Sequence, residues 1–101
     1  MAHQPIRSKS RIAFKKGDYV GIKCEIADGP FSTEKLVTFD TVDGEISGFV
    51  RVSELREMAD GWQVRAKVLS LSKDTIEVLI VGSFLRINGI ANVPRQLAVV
   101  A

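Results

Sequence analysis

Five runs of alternating apolar and polar residues, in a fixed order along the chain, limit the possible folds more than any other feature of this sequence. The runs cover residues 20–26, 35–39, 46–52, 63–68 and 75–80. Apolar side chains at every second position indicate a strand with one buried and one exposed face. A short helix is predicted between the third and fourth runs, at residues 53–59, because Ser53 suits an N-cap and Glu54 suits the first turn.

Turn residues separate the runs. Asp43-Gly44 is the strongest hairpin signal, because a tight hairpin turn favours residues that accept positive φ. Asp28-Gly29-Pro30 ends the first run, and Asp60-Gly61 ends the predicted helix. Three strands, a short helix and two further strands is the order of an OB-like barrel. We therefore predict an all-β fold, a small OB-like barrel of five to six strands with one short helix.

Length and composition indicate one domain. The chain has 101 residues, and 46% of them are hydrophobic, which is sufficient for a compact core. We expect a basic flexible arm at residues 1–16, the barrel at 17–81, and an apolar C-terminal extension at 82–101. The extension is too apolar to remain in solvent, so it packs on the barrel, adds an edge strand or contacts a partner.

Several classes of function lack support in the sequence. No apolar run is long enough for a membrane helix, and no secretory leader is recognisable, so we expect a cytoplasmic protein. Cys24 is the only cysteine, which excludes an internal disulfide and gives no metal-ligand spacing. No catalytic triad, Cys/His pair or phosphate-binding glycine loop is present. We therefore expect a protein that is not an enzyme and has no cofactor.

Charge is distributed unevenly. Residues 1–16 carry five basic side chains and no acid, whereas the remaining residues carry nine basic and twelve acidic ones. The arm cations are Arg7, Lys9, Arg11, Lys15 and Lys16. Basic arms attract nucleic acid or other acidic surfaces, although a solubilising leader has the same composition. Residues 17–101 together therefore have a net charge of −3, which is unusual for a nucleic-acid-binding domain.

The outward positions of the runs combine aromatic and cationic side chains. Single-stranded nucleic acid is bound by such a combination, because bases stack on rings while cations contact phosphates. A solvated charged face and covered aromatics would give the same pattern. The candidate residues on this face are Tyr19, Lys23, Phe49, Arg51, Arg65 and Lys67.

Two family resemblances follow from short motifs. Residues 17–81 resemble the RNA-binding OB repeat of ribosomal and polynucleotide-phosphorylase type, the S-one domain, through GDYV at 17–20, GFVRVSEL at 48–55 and VRAKVL at 64–69. This resemblance implies an OB barrel that binds RNA. A weaker resemblance, to KOW modules with SH3-like barrels, rests on Gly29-Pro30-Phe31.

The sequence therefore favours a non-enzymatic module that binds single-stranded RNA or DNA. The alternative is a protein–protein interaction or assembly module, which includes self-association through residues 84–100. The acidic barrel and the apolar extension favour this alternative. So does the second run, which lacks the alternating glycines and aromatics that S-one domains show there.

Overall fold

The computed structural model describes residues 14–84 and 87–100, so Arg7, Lys9 and Arg11 lie outside the described residues. Within these ranges the protein is all-β, with two 3-10 turns at Val52–Glu54 and Arg95–Leu97 and no α-helix. The strands are β1 Tyr19–Asp28, β2 Glu34–Thr41, β3 Gly44–Arg51, β4 Leu55–Met58, β5 Gly61–Leu71, β6 Thr75–Leu79, β7 Ser83–Phe84, β8 Ile90–Pro94 and β9 Ala98–Val100.

The predicted count of five to six strands is wrong, because the described chain contains nine. The five predicted runs correspond to β1, β2, β3, β5 and β6. The C-terminal segment supplies three of the four additional strands, β7, β8 and β9. These strands are two to five residues long, which is too short for alternation to be recognisable against the interrupting Asn88-Gly89 and Pro94.

The predicted helix at residues 53–59 is also wrong. Val52–Glu54 forms one 3-10 turn without a side-chain cap hydrogen bond, and the next four residues form β4. β4 pairs antiparallel with β5, and the register brings Met58 opposite Gly61 across a two-residue turn. Gly61 has a φ of 136°, which glycine adopts without strain. A seven-residue helix is marginal by itself, so hairpin pairing decides the conformation of this segment.

The strands form one sheet that curls into a half-barrel. Its order is β7-β3-β2-β1-β5-β6-β8, with β4 on β5 and β9 on β1, and every pairing is antiparallel. β1 is the central strand. Residues 19–24 pair with β5, residues 20–22 also pair with β9, and residues 25–28 pair with β2. The order β5-β1-β2-β3 is a Greek key: β1, β2 and β3 are successive antiparallel neighbours, and β5 returns to lie beside β1.

Two contacts bring the ends of the curled sheet together. The backbone N–H of Val42, in the β2–β3 hairpin, donates to the carbonyl of Asn92 in β8 at 2.9 Å. β7 crosses to the free edge of β3, where Phe84 lies opposite Gly48. The chain then returns to pair β8 with β6. The C-terminal segment is therefore part of the half-barrel itself.

The core lies on the concave side of the sheet and consists almost wholly of residues predicted to face inward. Ala91 and Val93 of β8 are additions to that set. Cys24, Ile26 and Ile46 are only partly buried at the edge of the core. Val52, the last residue of the third predicted run, is exposed, because the 3-10 turn begins there and interrupts the alternation of β3. The remaining core members are Val20, Ile22, Val37, Phe39, Val50, Val64, Ala66, Val68, Ile76, Val78 and Ile80.

Gly48 is required for the contact between β3 and β7. A Cβ atom at this position would overlap the ring of Phe84 and the carbonyl oxygen of Ser83. The ring of Phe84 packs edge-on against Phe39, with centroids 6.0 Å apart. The absence of a side chain at Gly48 therefore lets β7 reach the core.

We predict that Gly48→Ala lowers the free energy of unfolding by about 1–3 kcal/mol, the usual cost of overpacking a core. Urea denaturation followed by Trp62 fluorescence measures this change. If the Phe84 ring is a cause, the same substitution costs less in a Phe84→Ala background. An equal cost in both backgrounds would show that overlap with the ring is not responsible. Exposed Glu45→Ala, on the same strand, serves as the control.

Candidate nucleic-acid interface

The register between β1 and β5 brings four of the predicted site residues onto one surface, called here the β1–β5 face. Tyr19 lies opposite Lys67, Gly21 opposite Arg65, and Lys23 opposite Gln63. The intervening residues of both strands, such as Ile22 and Val64, are buried in the core. Strand alternation therefore directs Tyr19, Lys23, Arg65 and Lys67 to the outer side of the sheet.

Tyr19 and Arg65 form the centre of this face. The guanidinium carbon of Arg65 lies 4.0 Å from the centroid of the Tyr19 ring, which is a cation–π contact. Tyr19 is nonetheless 50% exposed. The pair therefore presents flat π surface to solvent, and such a contact at an exposed site contributes about 0.5–1 kcal/mol.

The cations on the face have weak acidic neighbours. Arg65 lies 3.9 Å from a carboxylate oxygen of Glu54, and Lys23 lies 3.9 Å from one of Asp60. The Lys23–Asp60 pair is long and well exposed and contributes roughly 0–1 kcal/mol, so a phosphate can compete with Asp60 for Lys23 at small cost. Lys67 forms no ion pair within the described part of the chain.

Lys15 and Lys16 precede β1 along the chain, and both are exposed. Asp18 fixes the turn that carries them: its carboxylate accepts from the backbone N–H of Lys15 at 2.9 Å, and its carbonyl accepts from the N–H of Val68 at 2.8 Å. These bonds tie the turn that follows the two arm lysines to β5 at Val68, the residue after Lys67.

Phe49 and Arg51 do not join this group. Both lie on β3, where Phe49 is opposite Leu36 and Arg51 is opposite Glu34. Leu36, the partner of Phe49, lies opposite Ala27 of β1. Ala27 is four residues beyond Lys23, which is about 13 Å along a strand. The six predicted residues therefore divide into two separate surfaces.

The surface around Phe49 is unfavourable for phosphate. Asp40 and Glu45 lie directly opposite one another on β2 and β3, and Glu25 borders the same face. Between these acids and Phe49, the hydroxyl groups of Thr38 and Ser47 form a hydrogen bond of 2.7 Å. These three carboxylates repel a phosphate backbone, whereas the β1–β5 face carries mainly cations.

One polar residue of the face was missed by sequence reasoning. Gln63 is only 9% exposed, and its side chain forms no hydrogen bond to any residue within 14–84 and 87–100. A Cβ atom added to Gly21 would overlap Gln63 Oε1, so the side chain lies across the glycine. A buried amide without partners costs about 1–3 kcal/mol. The signal available in the sequence was a glycine within an alternating strand, which often marks such a close approach.

Cys24 has the properties of a structural thiol. It lies at the edge of the core, and burial raises its pKa to about 11. The thiolate is the reactive form of cysteine, so Cys24 is almost wholly protonated at neutral pH and is a poor nucleophile. Cys24 therefore packs as a small hydrophobic side chain.

We predict that iodoacetamide alkylates Cys24 at pH 8 roughly 100-fold more slowly in the folded protein than in urea, because the folded pKa is about two units above the ordinary value. The rate should rise about tenfold per pH unit towards pH 11, as the thiolate fraction increases. Mass spectrometry of the single cysteine gives the rate. Equal rates in the folded and urea-unfolded protein would show that burial does not protect this thiol.

Comparison with known proteins gives no match for this chain among family models, curated proteins or solved structures. Across residues 14–84 and 87–100, no cluster of three or more potential metal ligands occurs. No helix in the same ranges has the length and apolar character needed to cross a membrane. The chemistry of the β1–β5 face is therefore the basis for assigning a function.

Proposed function

We propose that this protein is a non-enzymatic module that binds single-stranded RNA or DNA through the β1–β5 face. The observation that carries the proposal is the exposed Tyr19–Arg65 stack, flanked on the same two strands by Lys67 and Lys23. Bases stack on aromatic rings and on guanidinium planes, and each stacked base contributes about 1–3 kcal/mol.

The surroundings of the stack suit an extended strand. Lys67 is on this face, and the exposed residues Lys15 and Lys16 precede Tyr19 by only three to four residues, so these cations can contact successive phosphates. Arg7, Lys9 and Arg11 extend this positive charge along the sequence and add salt-sensitive attraction.

The fold supports assigning an OB-like barrel to this proposal. The Greek-key order β5-β1-β2-β3 and the half-open curl are features of that architecture. Two of the three motifs that resemble an S-one domain, at residues 17–20 and 64–69, contain Tyr19, Arg65 and Lys67. The ligand face proposed here is thus built from those two motifs, while the third motif supplies Phe49 on the separate surface.

We predict that Tyr19→Ala weakens binding of a fluorescein-labelled single strand of about 12 nucleotides by roughly 5- to 100-fold, the loss expected for one stacked base. Fluorescence anisotropy at low ionic strength measures the affinity. Phe49→Leu is the matched control, since Phe49 is also an exposed aromatic, at 38%, but lies on β3. Its affinity should stay within about twofold of wild type.

Three results would contradict the proposal. The first is no binding by the wild-type protein at low salt. The second is an affinity that does not fall with rising salt, because several phosphate contacts require counterion release. The third is an effect of Phe49→Leu as large as that of Tyr19→Ala.

A second function, protein–protein interaction, is favoured by one specific observation. Leu79 of β6 and Ile90 of β8 lie opposite one another and are both exposed, and Val81 beside them is exposed as well. This apolar row continues directly from Lys67, which is opposite Leu79. Such a strip suits self-association or a protein partner. A concentration series by light scattering, with Leu79→Ser for comparison, distinguishes a monomer from an assembly that the substitution weakens.

A further inference from the structure

We propose that the cleft around Gln63 is a pocket that accepts one pyrimidine base of the strand bound on the β1–β5 face. This inference rests on the proposed function and adds a preference for particular bases. The cleft has a volume of about 130 Å³ and lies between β1, β5 and the segment that joins β3 to β4. Its polar lining is formed by Ser53, Glu54, Arg56, Gln63 and Arg65, with Gly21 at the floor.

The Gln63 amide is the group in this cleft to which a ligand could supply missing hydrogen bonds. It is more than nine-tenths buried and has no hydrogen-bond partner in the described ranges, yet it lines the open space. An amide offers a donor and an acceptor side by side. Each nucleobase offers a complementary pair on its Watson–Crick edge, so a base that enters the cleft satisfies both groups of Gln63 at once.

Gly21 fixes where this amide can be. Because any Cβ atom at Gly21 would overlap Gln63 Oε1, only glycine permits the side chain to lie across β1 at the floor of the cleft. Position 21 is in the middle of a strand, does not have positive φ, and pairs on both edges. A turn or a positive φ therefore does not explain the glycine at this position, whereas the space occupied by the Gln63 side chain does explain it.

The volume favours pyrimidines. A closed engineered cavity of about 150 Å³ accepts one benzene ring, so this partly open cleft of about 130 Å³ can cover a single six-membered ring, whereas the second ring of a purine would project out of it. Arg65 connects the cleft to the stacking surface, because it lines the cleft and also covers the Tyr19 ring. One base can therefore stack at Tyr19 and Arg65 while a neighbouring pyrimidine enters the cleft.

The test compares labelled homopolymers of uridine and adenosine, each of about 12 nucleotides, by anisotropy at low ionic strength. We expect the wild-type protein to prefer uridine by roughly 5- to 100-fold, the usual discrimination by a bidentate contact. Gln63→Met has a similar size but no amide, so it should abolish the preference. The salt dependence of binding should be the same in Gln63→Met and wild type, because Gln63 carries no charge to pair with a phosphate.

A nuclear magnetic resonance measurement tests the pocket even if Gln63→Met does not fold. In the ¹⁵N-labelled wild-type protein, uridine monophosphate should shift the side-chain amide resonances of Gln63 in a saturable manner. Adenosine monophosphate should shift them much less. Equal shifts with both nucleotides, or no shift with uridine monophosphate because the cleft holds only water, would overturn the inference.

The two proposals fail in distinguishable ways. If the wild-type protein binds neither homopolymer at low salt, the proposed function fails and the pyrimidine pocket fails with it. If both homopolymers bind with salt-dependent affinity but the ratio of affinities is the same in wild type and Gln63→Met, the pocket is refuted and the nucleic-acid-binding function stands.

Discussion

The structure depends on one constraint, the pairing of a single ten-residue strand with three others. β2 and β9 follow one another along one edge of β1, and β5 occupies the other. A strand that pairs with different partners along its length and on both edges must curl with the sheet, and the curl creates the concave core side. Val20 and Ile22 fill that core at the point where β5 and β9 meet β1, so the pairing and the hydrophobic burial reinforce each other.

The same constraint determines which side chains can act together. Because β1 changes partners along its length, its first half shares an outer surface with β5 and its second half shares one with β2 and β3. Tyr19 and Lys23 are therefore neighbours of Arg65 and Lys67, whereas Phe49 belongs to the acidic second surface. Residues with equivalent outward positions in the sequence thus acquire different electrostatic surroundings.

The sequence predicted the parts of this fold that depend on alternation within one strand. The five predicted strands and most of the core follow from that pattern. Two features depend on pairing between strands and were not predictable. Residues 55–58 form β4 because β5 is available to pair with them. The division of the candidate site, and the burial of Gln63 over Gly21, depend on register, which no single run specifies.

Photo-crosslinking tests most directly whether the β1–β5 face is the ligand surface. A single-stranded oligonucleotide containing 4-thiouridine is bound at low ionic strength and irradiated, and mass spectrometry identifies the modified residue. The pairing of Tyr19 with Arg65 on an exposed, cationic surface predicts modification of Tyr19 or of residues adjacent to it on β1 and β5. Modification centred on Phe49 and β3, with none on β1 or β5, would contradict this account.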